Sequence, residues 1–221
     1  MSDGIRWIGE HIYQRPNNRI PGMLGGISLT TARDIDTEDF LTCLGAEPLQ
    51  LDEGHLYKDR RSVTLPNGVK PGDVRYAMYG TCGDWVYVLE DWGRATWYLY
   101  RHGGPPMTAL AGVETVCLSK NQDDPPPHIA HTTLEGRIVS VEFGEDTGSG
   151  SALDVALHAA GAVFPSVRDT SEDELELYWE QHMEELPPAV FSAVGDYCGL
   201  SIGQAAVEAG DLPLAVLFPL S

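Results

Sequence analysis

Two adjacent carboxylates, Glu90 and Asp91, sit inside the aromatic stretch WVYVLEDWGRATWYLYR, residues 85–101. A carboxylate pair divides into an acid and a base when its surroundings push the two pKa values apart. Neighbouring strand residues point to opposite faces, however, so these two cannot flank one bond from opposite sides. With Trp92 they form a first candidate binding group at a strand end. His128 and His131 are the second candidate. H-x-x-H on a helix sets two imidazoles against one metal ion. Here the pair follows three prolines and enters a strand-like run, which gives that spacing poor geometry, and Asp123 and Asp124 are the nearest further ligands. No P-loop, G-x-G-x-x-G, G-x-S-x-G or H-E-x-x-H occurs, and no cofactor or metal is implied. A hydrolase reading therefore requires Glu90 or Asp91 to share a pocket with His128, His131 or Arg94.

The third candidate is a charge pattern. Glu172, Asp173, Glu174, Glu176, Glu180, Glu184 and Glu185 crowd one predicted helix. Of these, Glu172, Asp173, Glu176, Glu180 and Glu184 are the proposed contacts to a partner. The chain has 221 residues and a net charge of −19, distributed unevenly. Residues 1–137 carry 13 basic and 18 acidic side chains, whereas residues 138–221 carry 15 acidic ones and a single basic one, Arg168. Such a field repels phosphate backbones and anionic lipid and attracts basic proteins. Nucleic acid and membranes are thus disfavoured as partners, and a basic protein is favoured. The competing reading is that the acidity only secures solubility. A DNA-mimicking antagonist would need its carboxylates in two extended rows.

The elements that must position these groups follow from periodicity. ISLTTAR (27–33) alternates like a half-buried strand, and Asp36 can cap a helix over TEDFLTCLGA. Residues 47–75 read as irregular. VRYAMYG and DWVYVLED read as a hairpin; the second strand is apolar on both faces, so it is expected to be central, with its acidic end at the surface. WYLYR (97–101) fits a strand or a helix start, and PPMTALAG (105–112) a short helix. VETVCLSK is a strand, NQDDPPPH an exposed loop, and IAHTTLEGRIVSVEF a hairpin turning at Glu135 and Gly136.

Helices then take over. SALDVALHAAGA begins with Ser151 and Asp154 in a capping-box pattern, and SEDELELYWEQHMEEL with Ser171 and Glu174. Leu175, Tyr178, Trp179, His182 and Leu186 share a stripe on the second of these, which makes His182 a packed histidine, while His158 on the first is partly exposed. Pro187 and Pro188 are expected to end that helix. AVFSAVGDYCG and SIGQAAVEAG, the latter boxed by Ser201 and Gln204, precede a closing strand, LPLAVLFPL. Residues 148–151 (GSGS) read as a flexible join.

The order of elements is α+β, with a mainly antiparallel sheet and a helical segment in the C-terminal third. One domain over residues 27–221 is expected, preceded by an arm over residues 1–26 in which Trp7, Ile8 and Ile12 can dock one short element. No apolar run approaches the ~20 residues that span a bilayer. The four cysteines have no C-x-x-C spacing and read as reduced thiols. A cytoplasmic location follows as an expectation.

The chain resembles a family of small actinobacterial proteins catalogued as a domain of unknown function. The resemblance lies in ISLTTARDIDTEDFLTCLGA, in GTCGDWVYVLEDWG with its Gly-x-Trp strand ending in Glu90, in VETVCLSKNQ with Asn121, in TTLEGRIVSVEF, and in GLSIGQ and LPLAVLFPL. It covers most of residues 27–220, implies an intact α+β domain, and brings forward Trp85 and Glu90. It carries no catalytic residue set. The expectation is thus a non-enzymatic protein-binding domain, such as an immunity-type inhibitor of a basic toxin or nuclease.

Overall fold

The computed structural model describes residues 4–11, 20–91, 110–121, 124–165 and 170–218. A seven-stranded sheet runs through them. Its strands are β1 (Gly26–Arg33), β2 (Arg75–Cys82), β3 (Trp85–Asp91), β4 (Thr115–Asn121), β5 (Asp124–Thr132), β6 (Ile138–Glu142) and β7 (Leu214–Leu217). They lie in the order β6-β5-β4-β1-β3-β2-β7, and every neighbouring pair is antiparallel. The helices are α1 (Arg6–His11), α2 (Thr37–Cys43), α3 (Pro48–Asp52), α4 (Ala152–Ala159), α5 (Glu172–His182), α6 (Leu186–Cys198) and α7 (Gln204–Ala209). The fold is α+β. None of the described helices is long and apolar enough to cross a membrane.

Strand β3 is central, as its two apolar faces require. Trp85, Tyr87 and Leu89 face the larger core layer, with Ile5 just before α1, Trp7 and Ile8 from α1, Leu153 and Leu157 from α4, and Val190, Phe191 and Val194 from α6. Val86 and Val88 face a smaller layer with Phe40, Leu41 and Leu44 of the α2 segment. The alternation of one strand thus recruits helices from opposite ends of the chain. Helix α2 forms where Asp36 accepts from the Glu38 N–H at 2.9 Å and Glu38 and Asp39 occupy the first turn.

Several sequence expectations need correction. The segment 47–75 is not wholly irregular: it holds α3, opened by Pro48, and a 3-10 turn at Tyr57–Asp59. NQDDPPPH is not simply a loop, because β5 starts at Asp124. A proline lacks a donor but keeps its acceptor, and the Pro127 carbonyl accepts from the Phe143 N–H at 2.9 Å. Pro187 and Pro188 open α6 rather than merely ending α5, since a first turn needs no N–H from them. Gly203, not Ser201, sits at the cap of α7.

Within residues 1–26, Trp7 and Ile8 dock a short element, α1, as expected. Ile5, Trp7 and Ile8 are buried in the main core, and Trp7 Nε1 donates to the Ile202 carbonyl at 2.8 Å. Gly9 meets α6 so closely that a Cβ there would lie 2.5 Å from the Pro187 oxygen. Ile12 and the segment over 97–101 lie outside the described residues, as does most of 105–112; no disulfide joins the cysteines.

Trp85 opens β3, is 6% exposed, and packs edge-on to Tyr197 of α6 with ring centroids 6.0 Å apart. Trp85→Ala is expected to destabilise the fold by about 3–5 kcal/mol in a urea melt. A variant as stable as the parent would show that β3 does not carry the core.

Candidate functional site

Glu90 and Asp91 do fall on opposite faces of β3. Glu90 is fully buried, so the strand end does not bring it to the surface as expected. The sheet register aligns it in one row with Ser28, Ser119, His128 and Glu142. Glu90 and His128 are three strand spacings apart in that row, roughly 14 Å, far beyond a hydrogen bond. Asp91 is a latch. Its Oδ1 accepts from the Leu24 N–H at 2.7 Å and its Oδ2 from the Tyr57 hydroxyl at 2.9 Å. Burial lifts the Asp91 carboxyl above its ordinary value, against the opposing pull of those donors and of Arg60. The Arg60 guanidinium stacks 4.4 Å over the Tyr57 ring. Trp92 and Arg94 lie outside the described residues.

His128 and His131 also point to opposite faces, being an odd number of strand residues apart, so they cannot share one ion. Among the described residues no group of three or more His, Cys, Asp or Glu side chains is placed to hold a metal. His131 instead meets Glu114, which the sequence reading did not single out. A carboxylate only accepts, so His131 donates from Nε2 to Glu114 Oε1 at 3.1 Å. The Tyr197 hydroxyl donates to the same oxygen, and Arg33 Nη1 lies 3.7 Å from Oε2. Burial, then the Glu114 carboxylate, push the Tyr197 phenol well up and keep its proton in place. Both Glu114 oxygens are thus engaged within the fold, and the cluster ties α6 to the end of the sheet. Only tertiary packing brings Tyr197 to Glu114, 83 residues apart, so no local spacing could have announced the cluster.

The acidic third builds a different kind of site. A cleft of about 690 Å³ opens between α5 and the segment joining β6 to α4. Glu142, Glu145, Asp146 and His158 line it together with Phe164, Leu175 and Trp179. Asp146 Oδ2 lies 2.8 Å from His158 Nε2. Phe164 is held edge-on between Tyr178 and Trp179, at 5.0 and 5.1 Å. Trp179 is not part of a buried stripe as predicted. It is 36% exposed, while Leu175, Tyr178 and His182 are half-buried. His182 stacks on Tyr178 at 4.0 Å and bonds the Tyr178 carbonyl through Nδ1 at 2.9 Å.

Helix α5 has the reciprocal Ser171–Glu174 capping box its sequence predicts. Asp173, Glu176 and Glu180, with Glu184 in the following turn, are all exposed. Their spacing puts them in one sector of roughly 80° over about 16 Å of helix. Glu172 opens α5. Exposed Met183 and Trp179 flank the acidic row on one side and Leu177 on the other. Carboxylates beside an aromatic face suit an ammonium or guanidinium group, which gains from both charge and the ring quadrupole.

One buried acid pins the loop that follows Asp146. Asp154 of α4 accepts from the Thr147 N–H at 2.7 Å, the Ser151 N–H at 3.1 Å and the Ser149 hydroxyl at 3.2 Å. The GSGS join is therefore pinned, not free. Burial alone would raise the Asp154 carboxyl, but these donors outweigh it and hold it below its ordinary 3.8. The stabilisation is present above pH 3.8 and is lost as the pH falls through the lower folded value. Asp154→Asn is expected to flatten this acid limb of the stability–pH curve, read from urea melts across that range. An unchanged limb would assign it to other carboxylates. Tyr197→Phe is expected to cost about 1–3 kcal/mol by leaving Glu114 with one donor fewer. Equal stability for that variant would remove Glu114 as the tie between α6 and the sheet.

No family model, curated protein or solved structure matches the chain, so its functional reading rests on the geometry of these sites.

Proposed function

We propose that this chain is a non-enzymatic binding domain whose acidic C-terminal third docks a basic protein. It would act in the manner of an immunity-type inhibitor of a basic toxin or nuclease. The observation that carries this reading is the cleft whose lining includes Glu142, Glu145 and Asp146 together with Phe164 and Trp179. Charge without shape is a poor guide to a partner. Here the carboxylates border a concave, partly aromatic surface, and residues 138–221 contain one basic side chain to neutralise them.

The energetics of α5 support the same reading. Like charges three or four residues apart destabilise a helix by about 0.2–0.5 kcal/mol per pair. The row from Asp173 to Glu184 contains three such pairs and no lysine or arginine among them. A basic partner relieves that repulsion on binding. A DNA mimic would need two extended carboxylate rows; the single row on α5 beside a compact cleft favours a protein. A hydrolase built on Glu90 or Asp91 is disfavoured because the two acids diverge and His131 is engaged by Glu114.

Pulldown from native lysate at low and high salt, with the parent and with the Glu176→Gln, Glu180→Gln, Glu184→Gln variant, tests the proposal. A basic protein held by the parent at low salt, released at high salt, and bound with an association rate about tenfold lower by the variant is the expected result. Retention independent of both salt and the three carboxylates would overturn it.

A further inference from the structure

The proposed partner reading leaves open how a basic protein engages the cleft, and the sheet supplies a second surface beside it. The two edges of the sheet are finished differently. At β7 the outer edge is closed: the Phe218 N–H donates to the Gly45 carbonyl at 2.9 Å, the Leu214 N–H to the His55 carbonyl at 2.8 Å, and Ala46 bridges Leu217. At β6 it is open. The Thr133 N–H donates to the Arg137 carbonyl and the Phe143 N–H to the Pro127 carbonyl. These bonds fix the alternation of the β5–β6 ladder, so the backbone groups of Ile138, Ser140 and Glu142 point away from β5.

The outward groups of Glu142 are taken locally. Its N–H donates to Glu145 Oε2 at 3.2 Å, and its carbonyl accepts from the Glu145 N–H at 3.1 Å. Ile138 and Ser140 face solvent, Ile138 being 48% exposed. Protected edges carry lysine, proline or a bulge. The β6 segment, IVSVE, has no lysine or proline, and its register with β5 is continuous. The same edge already accepts chain further along, where Gly144 bridges Val163 in parallel and the Phe164 N–H donates to the Gly144 carbonyl at 2.7 Å. A segment added at Ile138 and Ser140 would run directly up to Phe164 and the acidic cleft.

We propose that β6 is a docking edge that takes an extended, basic segment of the partner by strand addition, with its cationic side chains reaching the cleft carboxylates. This rests on the basic-partner reading above. The charge selects the occupant. A second copy of this chain would bring two cleft walls of Glu142, Glu145 and Asp146, each on a chain of net charge −19, toward one another. A basic segment meets the opposite field. Residues on one face of a strand recur every second position, so the matching segment has an apolar residue beside Ile138 and a lysine or arginine four positions away beside Glu142.

The test uses the full chain and a short extended peptide that carries a valine and a lysine four positions apart, followed by calorimetric titration and amide hydrogen exchange. Saturable binding with slowed exchange at Ile138 and Ser140 is expected. N-methylating the peptide amides that face the edge should weaken binding by roughly tenfold or more, because it deletes the main-chain donors and leaves every charge. Ser140→Pro should weaken it similarly, since that N–H points outward and is not part of the β5 ladder. Equal affinity for the methylated peptide, or binding without protection at Ile138 and Ser140, overturns strand addition while leaving the basic-partner reading standing. No binding of either peptide at low salt overturns both. Self-association that protects the same two amides assigns the edge to a second copy and overturns the proposal.

Discussion

The burial of β3 on both faces is the constraint on which the rest of the structure depends. WVYVLE offers no polar side, so water must be excluded from both. One layer comes from the α2 segment close in sequence, and the other from α1, α4 and α6, drawn from both ends of the chain. The C-terminal helices are thus obligatory parts of the core, and so is α1. The same constraint decides the fate of the two acids at the end of the strand. Glu90 is carried inside by the strand that bears it, and Asp91 becomes the latch for Leu24 and Tyr57.

The buried carboxylates Glu114 and Asp154 are engaged within the fold. Glu114 is surrounded by His131, Tyr197 and Arg33, and Asp154 by the backbone of the loop it pins. Burying a carboxylate is costly unless donors replace the lost water, and both acids meet that requirement with partners from within the chain. A concentration of exposed acidic groups lies outside the core, on α5 and around the neighbouring cleft. Function is therefore sought where charge faces solvent beside a concave surface, and not where acids are packed.

The sheet makes the same distinction at its edges. Segments around Gly45 and His55 close β7, whereas no described segment pairs with the outward side of β6 at Ile138 and Ser140, next to the cleft. An open edge is a hazard for a protein at large, because it recruits any extended chain. Strong negative charge beside it narrows the choice of chain by repelling copies of itself and other acidic segments. The coincidence of an open edge and an acidic cleft gives the two features one interpretation.

Much of the architecture was legible in the sequence because it depends on local periodicity and capping. The alternation in ISLTTAR and WVYVLE, the Ser151–Asp154 and Ser171–Glu174 boxes, the hairpin turn at Gly136 and the charge gradient along the chain are properties of neighbouring residues. What remained hidden depends on partners distant in sequence. Proline in NQDDPPPH reads as a loop until β4 and β6 supply donors to the strand it starts. Trp179 fits an apolar stripe on a helical wheel, yet lies half in solvent because α5 docks through Phe164. Glu114 is an unremarkable acid until Tyr197 arrives from 83 residues away. The sequence by itself determined which elements form and where negative charge accumulates. Only the tertiary structure decided which acids are spent in the core and which are left facing solvent, since burial and hydrogen bonding are set by contacts that no local spacing encodes.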